Sequence, residues 1–416
     1  PVVDGDCVSN LTGGDERAAV EGTRGLIRLA TAVYYDYEKH TIRHWLIYHW
    51  LVGFDEFHIY VDDRPGRNAS RDIVTTLQHE LRWYPGVTVF SLGKAVGKST
   101  SVTMLAKEYK TAGGEGVRWI HYFDGDEYFV PHQSHRLWMQ DNMPCLEERA
   151  RAWVREVRRT RGAAVERPDL IGFDVGRWYG HVLGANAGAE THLRVILLPR
   201  LPFGQLEPRP GELLRVPKPP TESLGQHFWE GTVYPSPVEE AGGHCEWNED
   251  HKCIGKVVYR LGFPLRPGVH SALDAPSLME SYYATYTSGV EFPTLERALY
   301  PEFVPNEVHR PRCPNGTYTG PYLAHYQYRS REECLLKARN QANGINAVSK
   351  GRGWRARFGD SICSGRPSCP ERFAEEGGHM AISQVATIVN LVKGVLEYRQ
   401  LEELKEETDT NQMPLI

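Results

Sequence analysis

The chain reads as an α/β protein built on a parallel, doubly wound sheet, and three observations predict it. Strand-like and helix-like segments alternate from residue 25 to about residue 130, which is the pattern of βαβ units. A hydrophobic fraction of 41% over 416 residues is enough for a sizeable core. Two acidic pairs, Asp62-Asp63 and Asp124 with Asp126, fall where predicted strands end. In open parallel sheets that carboxyl edge is where ligands bind.

The elements follow in order. "GLIRLATAVYY" is an apolar run of strand length. In "YEKHTIRHWLIYHWLVG", Ile42, Trp45, Leu46, His49 and Trp50 recur at helical spacing on one face, and Gly53 is a stop signal. "EFHIYVDD" is a second strand, "SRDIVTTLQHELRWYPG" a helix, "VTVFSLG" a strand, "SVTMLAKEYKTAG" a helix and "VRWIHYFDGDEYFVP" a fourth strand. After about residue 150 the alternation fades. "RAWVREVRRTRGAAVERPD" is a basic helix or linker, while "LIGFDVGRWYGHVLG" and "HLRVILLPRL" look like strands or strand–loop units. Residues 201–245 are a Pro-rich loop, "KVVYRLGF" a late strand, and "SREECLLKARNQANG" a helix. A long amphipathic helix near the C-terminus presents an apolar face suited to core packing.

Composition excludes some classes. A net charge of −5 lacks the basic excess of a general nucleic-acid binder. The 10 Trp and 21 Tyr suit core packing and stacking on sugars or bases. No apolar run is long enough to span a bilayer. The sequence begins at Pro1 without Met, so it reads as a trimmed or processed chain, and any membrane attachment is expected through an N-terminal anchor preceding it. The eight cysteines include no C-x2-C pair, which argues against a zinc site. Cys245 with Cys253, and Cys363 with Cys369, are spaced to close short loops. Sequons at Asn10, Asn68 and Asn315, with an even cysteine count, point to a secretory compartment.

Several motifs compete for the chemistry. "SLGKAVGKST" follows a strand and precedes a helix, but Gly93 and Gly97 are one residue too close for a phosphate-binding P-loop. Lys94 or Lys98 is still placed to meet a diphosphate. "FDGDEYF" fails as a calcium loop, because Tyr128 and Phe129 stand where an acid and a Gly are needed. It also lacks the spacing of a glycosidase carboxylate pair. Read as the end of a strand, Asp124 and Asp126 share a face. Two such carboxylates repel unless a cation lies between them, and a hard divalent ion would complete its shell with phosphate and water.

Four ordered motifs then bear on identity: "YYDYEKHTIRHWLIYHWLVGFDEFHIYVDD", "WIHYFDGDEYFVP", "KVVYR" with "VH" shortly after it, and "HYQYRSREECLLKA". Together, over roughly 26–345, they resemble the glycosyltransferase family 92 domain (also called the DUF23 family). Three positions depart from the family pattern. Tyr37-Glu38 stands for Asn-Glu, His44-Trp45 for Glu-Trp, and Leu261 for a Pro, while 180–250 does not match. The resemblance implies a GT-A-like, Rossmann-type α/β/α sandwich with an irregular C-terminal extension. It divides the chain into a lead-in over 1–24, a catalytic domain over 25–345 (nucleotide half about 25–150, acceptor half about 151–345) and an extension over 346–416. It implies a metal-dependent transferase using Mn2+ or Mg2+ and a UDP-sugar, most often UDP-galactose, in the Golgi lumen behind a type II anchor. Asp124 and Asp126 match the family's metal-binding DxD and Glu127 the acid after it. Lys256 and Arg260 match its Lys/Arg strand, His270 the His that follows, and His325 the His-Tyr signature.

Chemistry adds further candidates. An inverting transfer needs a carboxylate base for the acceptor hydroxyl. "CEWNEDHKC" offers Asp250 and Glu249, with Glu246 and Asp174 as alternatives. His270 and His325 are candidates to complete the metal shell, Asp62 and Asp63 to hold ribose or uracil, and Lys98, Lys256 and Arg260 to meet the diphosphate. The expected partners are a nucleotide sugar and a glycan or glycoprotein acceptor, with no nucleic acid. A non-catalytic carbohydrate-binding or scaffold protein on the same fold is the main rival. A nucleotidyltransferase and a P-loop kinase are weaker ones.

Overall fold

In a computed structural model the described residues are 26–33, 38, 41–61, 71–92, 100–112, 115–131, 133–160, 167–176, 178–179, 195–198, 200–204, 234–235, 246–247, 253–254, 256–262, 267, 322–326, 385, 387–398 and 400. The expected alternation is present as β1 (Leu26–Val33), α1 (Ile42–Val52), β2 (Glu56–Val61), α2 (Arg71–Leu81), β3 (Val87–Ser91), α3 (Thr100–Ala112) and β4 (Val117–Tyr122). β1 pairs in parallel with both β2 and β4, and β2 in parallel with β3. Later strands extend the sheet. β11 (Lys256–Arg260) runs antiparallel to β4, and β6 (Val195–Leu198) antiparallel to β11. The order is β3-β2-β1-β4-β11-β6, so the protein is α/β with a mixed rather than wholly parallel sheet.

Period-two alternation decides which face each residue serves. Ile27, Leu29 and Val33 of β1 enter one apolar cluster with α1 and α2, whereas Ala30 enters a second with Met104 and Leu105 of α3. Helices therefore cover both faces. Beneath α3, the buried Arg28 pairs with Glu56 at 2.7 Å, Glu108 at 3.2 Å and Glu115 at 2.5 Å. Burial alone would raise the Glu108 pKa. Hydrogen bonds from His58 and Tyr60, with the charges of His58 and Arg28, outweigh it and hold that carboxyl below its usual range.

α1 departs from the expectation of one apolar face: every residue from His44 to Val52 is buried. Its inner side lies on the sheet. Its outer side is covered by the C-terminal helix α5 (helical residues 387–398), whose Ile388, Val389, Val392 and Leu396 join the same core. His44 Nε2 lies 3.2 Å from Asn390 Oδ1, and Arg43 bridges Glu80 of α2 and Glu397 of α5. A helix buried all round needs apolar residues all round, which "HWLIYHWLV" supplies. Gly53 ends α1 at φ 120°, with its N–H donated to His49 O and Trp50 O.

Three further expectations change. The fourth strand divides at the Asp124–Asp126 turn into β4 and β5 (Glu127–Val130), which lie in different sheets. The apolar run continues through the break because both strands are buried. α4 spans Gln133–Arg159, longer than the basic segment expected, and contains Pro144. Residues 175–176 and 178–179 are helical where a strand or strand–loop unit was expected.

β5 opens a second sheet of order β5-β12-β7-β8, formed with β7 (Arg200–Gly204), β8 (Tyr234–Pro235) and β12 (Tyr322–Tyr326). A short ladder joins β9 (Glu246–Trp247) and β10 (Cys253–Ile254). β7 begins two residues after β6 ends, as β5 follows β4, and each pair has its first strand in the large sheet and its second in the small one. Among the described residues no helix is long and apolar enough to cross a membrane.

Candidate functional site

The strand order reverses between β1 and β4: β2 and β3 build outward from one side of β1, and β4 returns to its other side. The crevice beyond the carboxyl ends of these two strands is the topological switch point, where open α/β sheets place ligands. The Asp124–Asp126 turn lies there.

The turn is closed by its own acids. Glu127 N–H donates to Asp124 O at 3.0 Å, and Asp124 N–H donates back to Glu127 Oε2 at 2.8 Å. Tyr122 hydroxyl donates to Asp124 Oδ1 at 3.0 Å. β4 ends at Tyr122, so strand periodicity does not govern the turn. Asp124 and Asp126 do not share an environment: the Asp124 side chain is 39% exposed, whereas Asp126 is 7% exposed. The two acids thus differ in exposure, and they sit on a turn rather than on a strand.

A buried side-chain cation meets two of the acids of the turn, Asp124 and Glu127. Lys256 Nζ lies 2.7 Å from Asp124 Oδ2 and 3.3 Å from Glu127 Oε2, and 4.8 Å from the centre of the Tyr122 ring. Lys256 and Glu127 are fully buried. Register explains the meeting. Tyr259 pairs with Ile120 and Arg260 with Trp119 in the antiparallel β11–β4 ladder. Continuing that ladder to the start of β11 brings Lys256 alongside the chain just past Tyr122. Arg260, at the other end of β11, is about 13 Å further along the strand. Its carbonyl accepts from Tyr109 hydroxyl.

α1 holds the strand that leaves the turn. β5 is an edge strand of the small sheet, and an open edge leaves backbone groups to be satisfied. Three polar-tipped aromatic side chains of α1 meet them. Trp45 Nε1 donates to Glu127 O at 2.8 Å, Tyr48 hydroxyl donates to Phe129 O at 2.6 Å, and Phe129 N–H donates to His49 Nε2 at 3.3 Å. His49 Nδ1 donates to Trp45 O, which fixes a neutral tautomer, and burial pushes its pKa down to about 3. The helical spacing of these residues was visible in the sequence; that their polar tips serve a strand edge was not.

One residue at the turn entered the sequence reading only in the Tyr37-Glu38 departure from the family pattern and not as a site residue. Glu38, 5% exposed, lies against the turn: a Cβ on Gly125 would stand 2.9 Å from Glu38 Cγ. The available signal was its place just after the predicted first strand.

His325 falls on β12, in register with Glu127 across the β5–β12 ladder, so its backbone is beside the turn. Asp174, one of the alternative bases, is braced by Arg167, which also bonds Asp55 at 3.3 Å. Asp55 precedes β2, so Asp174 belongs to the amino edge of the sheet, about 20 Å from the switch point. Glu246 lies on β9. Asp62, Asp63, Lys98, Glu249, Asp250 and His270 lie outside the described residues.

The donor set suits a hard divalent ion in charge and atom type, since its carboxylates crowd one turn and one of them meets solvent. Among the described residues no three His, Cys, Asp or Glu side chains converge to hold a metal by themselves. Such an ion would draw most of its shell from a ligand's oxygens and water. Cys145 on α4 is disulfide-bonded, and no described cysteine is free. No family model and no curated protein matches the chain, so the likeness to glycosyltransferase family 92 rests on its four short motifs.

Proposed function

We propose that this chain is a metal-dependent glycosyltransferase with a GT-A-like α/β/α catalytic domain. It moves a hexose, galactose by the motif resemblance, from a UDP-sugar to a hydroxyl of a glycan or glycoprotein acceptor, with inversion. The observation that carries the reading is a buried acidic turn, closed on itself and opening one carboxylate to solvent, at the switch point of a doubly wound sheet. Cys145 in a disulfide supports an oxidising compartment, in keeping with a Golgi-lumen enzyme.

Asp124 and Asp126 would hold the divalent ion. Bound there with the nucleotide, the ion supplies Lewis-acid stabilisation of the leaving diphosphate. The chain's own residues set the stage for it. Tyr122 and Lys256 fix the direction of the Asp124 carboxylate, Glu127 holds its backbone N–H, and α1 fixes β5 behind it. Transfer breaks the bond between the anomeric carbon and the phosphate oxygen, and the acceptor oxygen takes its place while giving up its proton. Asp250 or Glu249 is assigned that proton.

Thermal unfolding with UDP, GDP, CMP or ADP, each with and without Mn2+, tests the reading. A ligand that binds only the folded state raises the melting temperature by mass action. The expected result is a shift with UDP that requires Mn2+, lost together with turnover in Asp126→Ala. An Asp126→Ala variant that keeps full metal-dependent turnover would overturn the metal assignment.

A further inference from the structure

We infer that Lys256 is a resident counter-ion that keeps the empty site from taking up a divalent cation alone, so that metal enters together with the nucleotide diphosphate. The inference rests on the reading above for the presence of a metal.

Three observations carry it. The ammonium contacts both acids that close the turn, at 2.7 Å and 3.3 Å. It is fully buried and lies against the Tyr122 ring, so it cannot exchange its partners for water. Of its two carboxylate partners, Asp124 is the one that reaches solvent, at 39% exposure against 0% for Glu127. An incoming ion therefore meets a carboxylate already bonded to a fixed positive charge. Coulomb repulsion between that charge and a divalent ion opposes binding at this range. A diphosphate reverses the balance: it brings negative charge to both cations and gives the ion oxygen ligands that the protein does not provide.

Lys256 is thus a positioning and gating residue. Its removal should strengthen the binding of bare metal while weakening the arrangement that receives the nucleotide. A unit charge within 4–6 Å shifts a titration by about 1–3 pH units. A tightening of Mn2+ by about tenfold or more is the corresponding expectation.

The test is calorimetric titration of Mn2+ into nucleotide-free protein, comparing the wild type with Lys256→Met, Lys256→Gln and Lys256→Arg. Met keeps the length of the side chain, Gln keeps a hydrogen-bond donor, and Arg keeps the charge. The expected result is weak binding in the wild type and the Arg variant, and binding tightened by about tenfold or more in both neutral variants. If the neutral variants are isolated only in the presence of Mn2+, the ion has taken the place of the ammonium, which supports the inference. Equal affinity in wild type and neutral variants overturns it, as does tightening in the Arg variant. Neutral variants that fail to fold with and without Mn2+ also overturn it, because Lys256 is then purely structural. The titration uses neither nucleotide nor sugar. A wild type without a UDP shift in the presence of Mn2+ would instead strike the transferase reading, leaving this comparison separate.

Discussion

His49 has no solvent contact and no charge, yet it contacts the candidate site through β5. Its ring accepts the Phe129 N–H and donates to Trp45 O, and burial holds its pKa near 3. The unfolded chain takes up a proton at this position near pH 6.5, and the folded chain does not until about pH 3. Stability from this residue is therefore complete above pH 6.5 and is lost as pH falls toward 3, by up to about 1.4 kcal/mol per pH unit. His121, also fully buried and pushed well below its ordinary value by desolvation, acts in the same direction. Urea midpoints measured from pH 7.5 down to 4 should fall steeply in the wild type. His49→Gln, which keeps an acceptor and a donor, should show a shallower fall; an unchanged slope would remove His49 from the account. Gly125 makes a different demand. A methyl group there would press on the buried Glu38 at 2.9 Å, so the contact between them has to give. Gly125→Ala should therefore weaken the UDP–Mn2+ thermal shift while moving the melting temperature of the unliganded protein by only a few degrees. A full UDP–Mn2+ shift in that variant would show that the close fit of Glu38 to the turn is not needed for binding.

At the scale of elements, α5 is the outer cover of α1, and α1 in turn pins β5. Ile388 is fully buried in the shared cluster. Ile388→Ala should cost about 2–5 kcal/mol of stability, the range for deleting a buried aliphatic side chain, measured as a lowered urea midpoint with an unchanged slope. The C-terminal helix was legible as amphipathic, but its partner was not, because nothing local in either sequence names the other. The same limit applies to α4. Proline removes a helical hydrogen bond, yet α4 continues through Pro144.

For the molecule as a whole, the alternation from β1 to β4 was readable because each βαβ unit carries its own periodicity and stop signals. Extension of the sheet by β11 and β6 was not, since antiparallel additions from residues 195–260 depend on register rather than on local pattern. The candidate site divides along the same line. The acids at Asp124 and Asp126 stand out in the sequence as charges set in an apolar run. The ammonium that meets them comes from a strand more than a hundred positions away, and only the fold pairs the two. The break between β4 and β5 was hidden for a related reason, as a run buried on both sides of a turn looks like one long strand.

That break also sets an order of events during synthesis. The strand leaving the acidic turn takes its ladder partner from Tyr322–Tyr326, about 200 residues later in the chain. At a translation rate of about 5–20 residues per second, the parallel half of the large sheet can be assembled for about 10–40 seconds before that partner exists. During this interval the backbone edge of Glu127–Val130 that later faces β12 is open to other strands, including those of neighbouring nascent chains. Assistance from a chaperone would matter most between the emergence of Val130 and that of Tyr326.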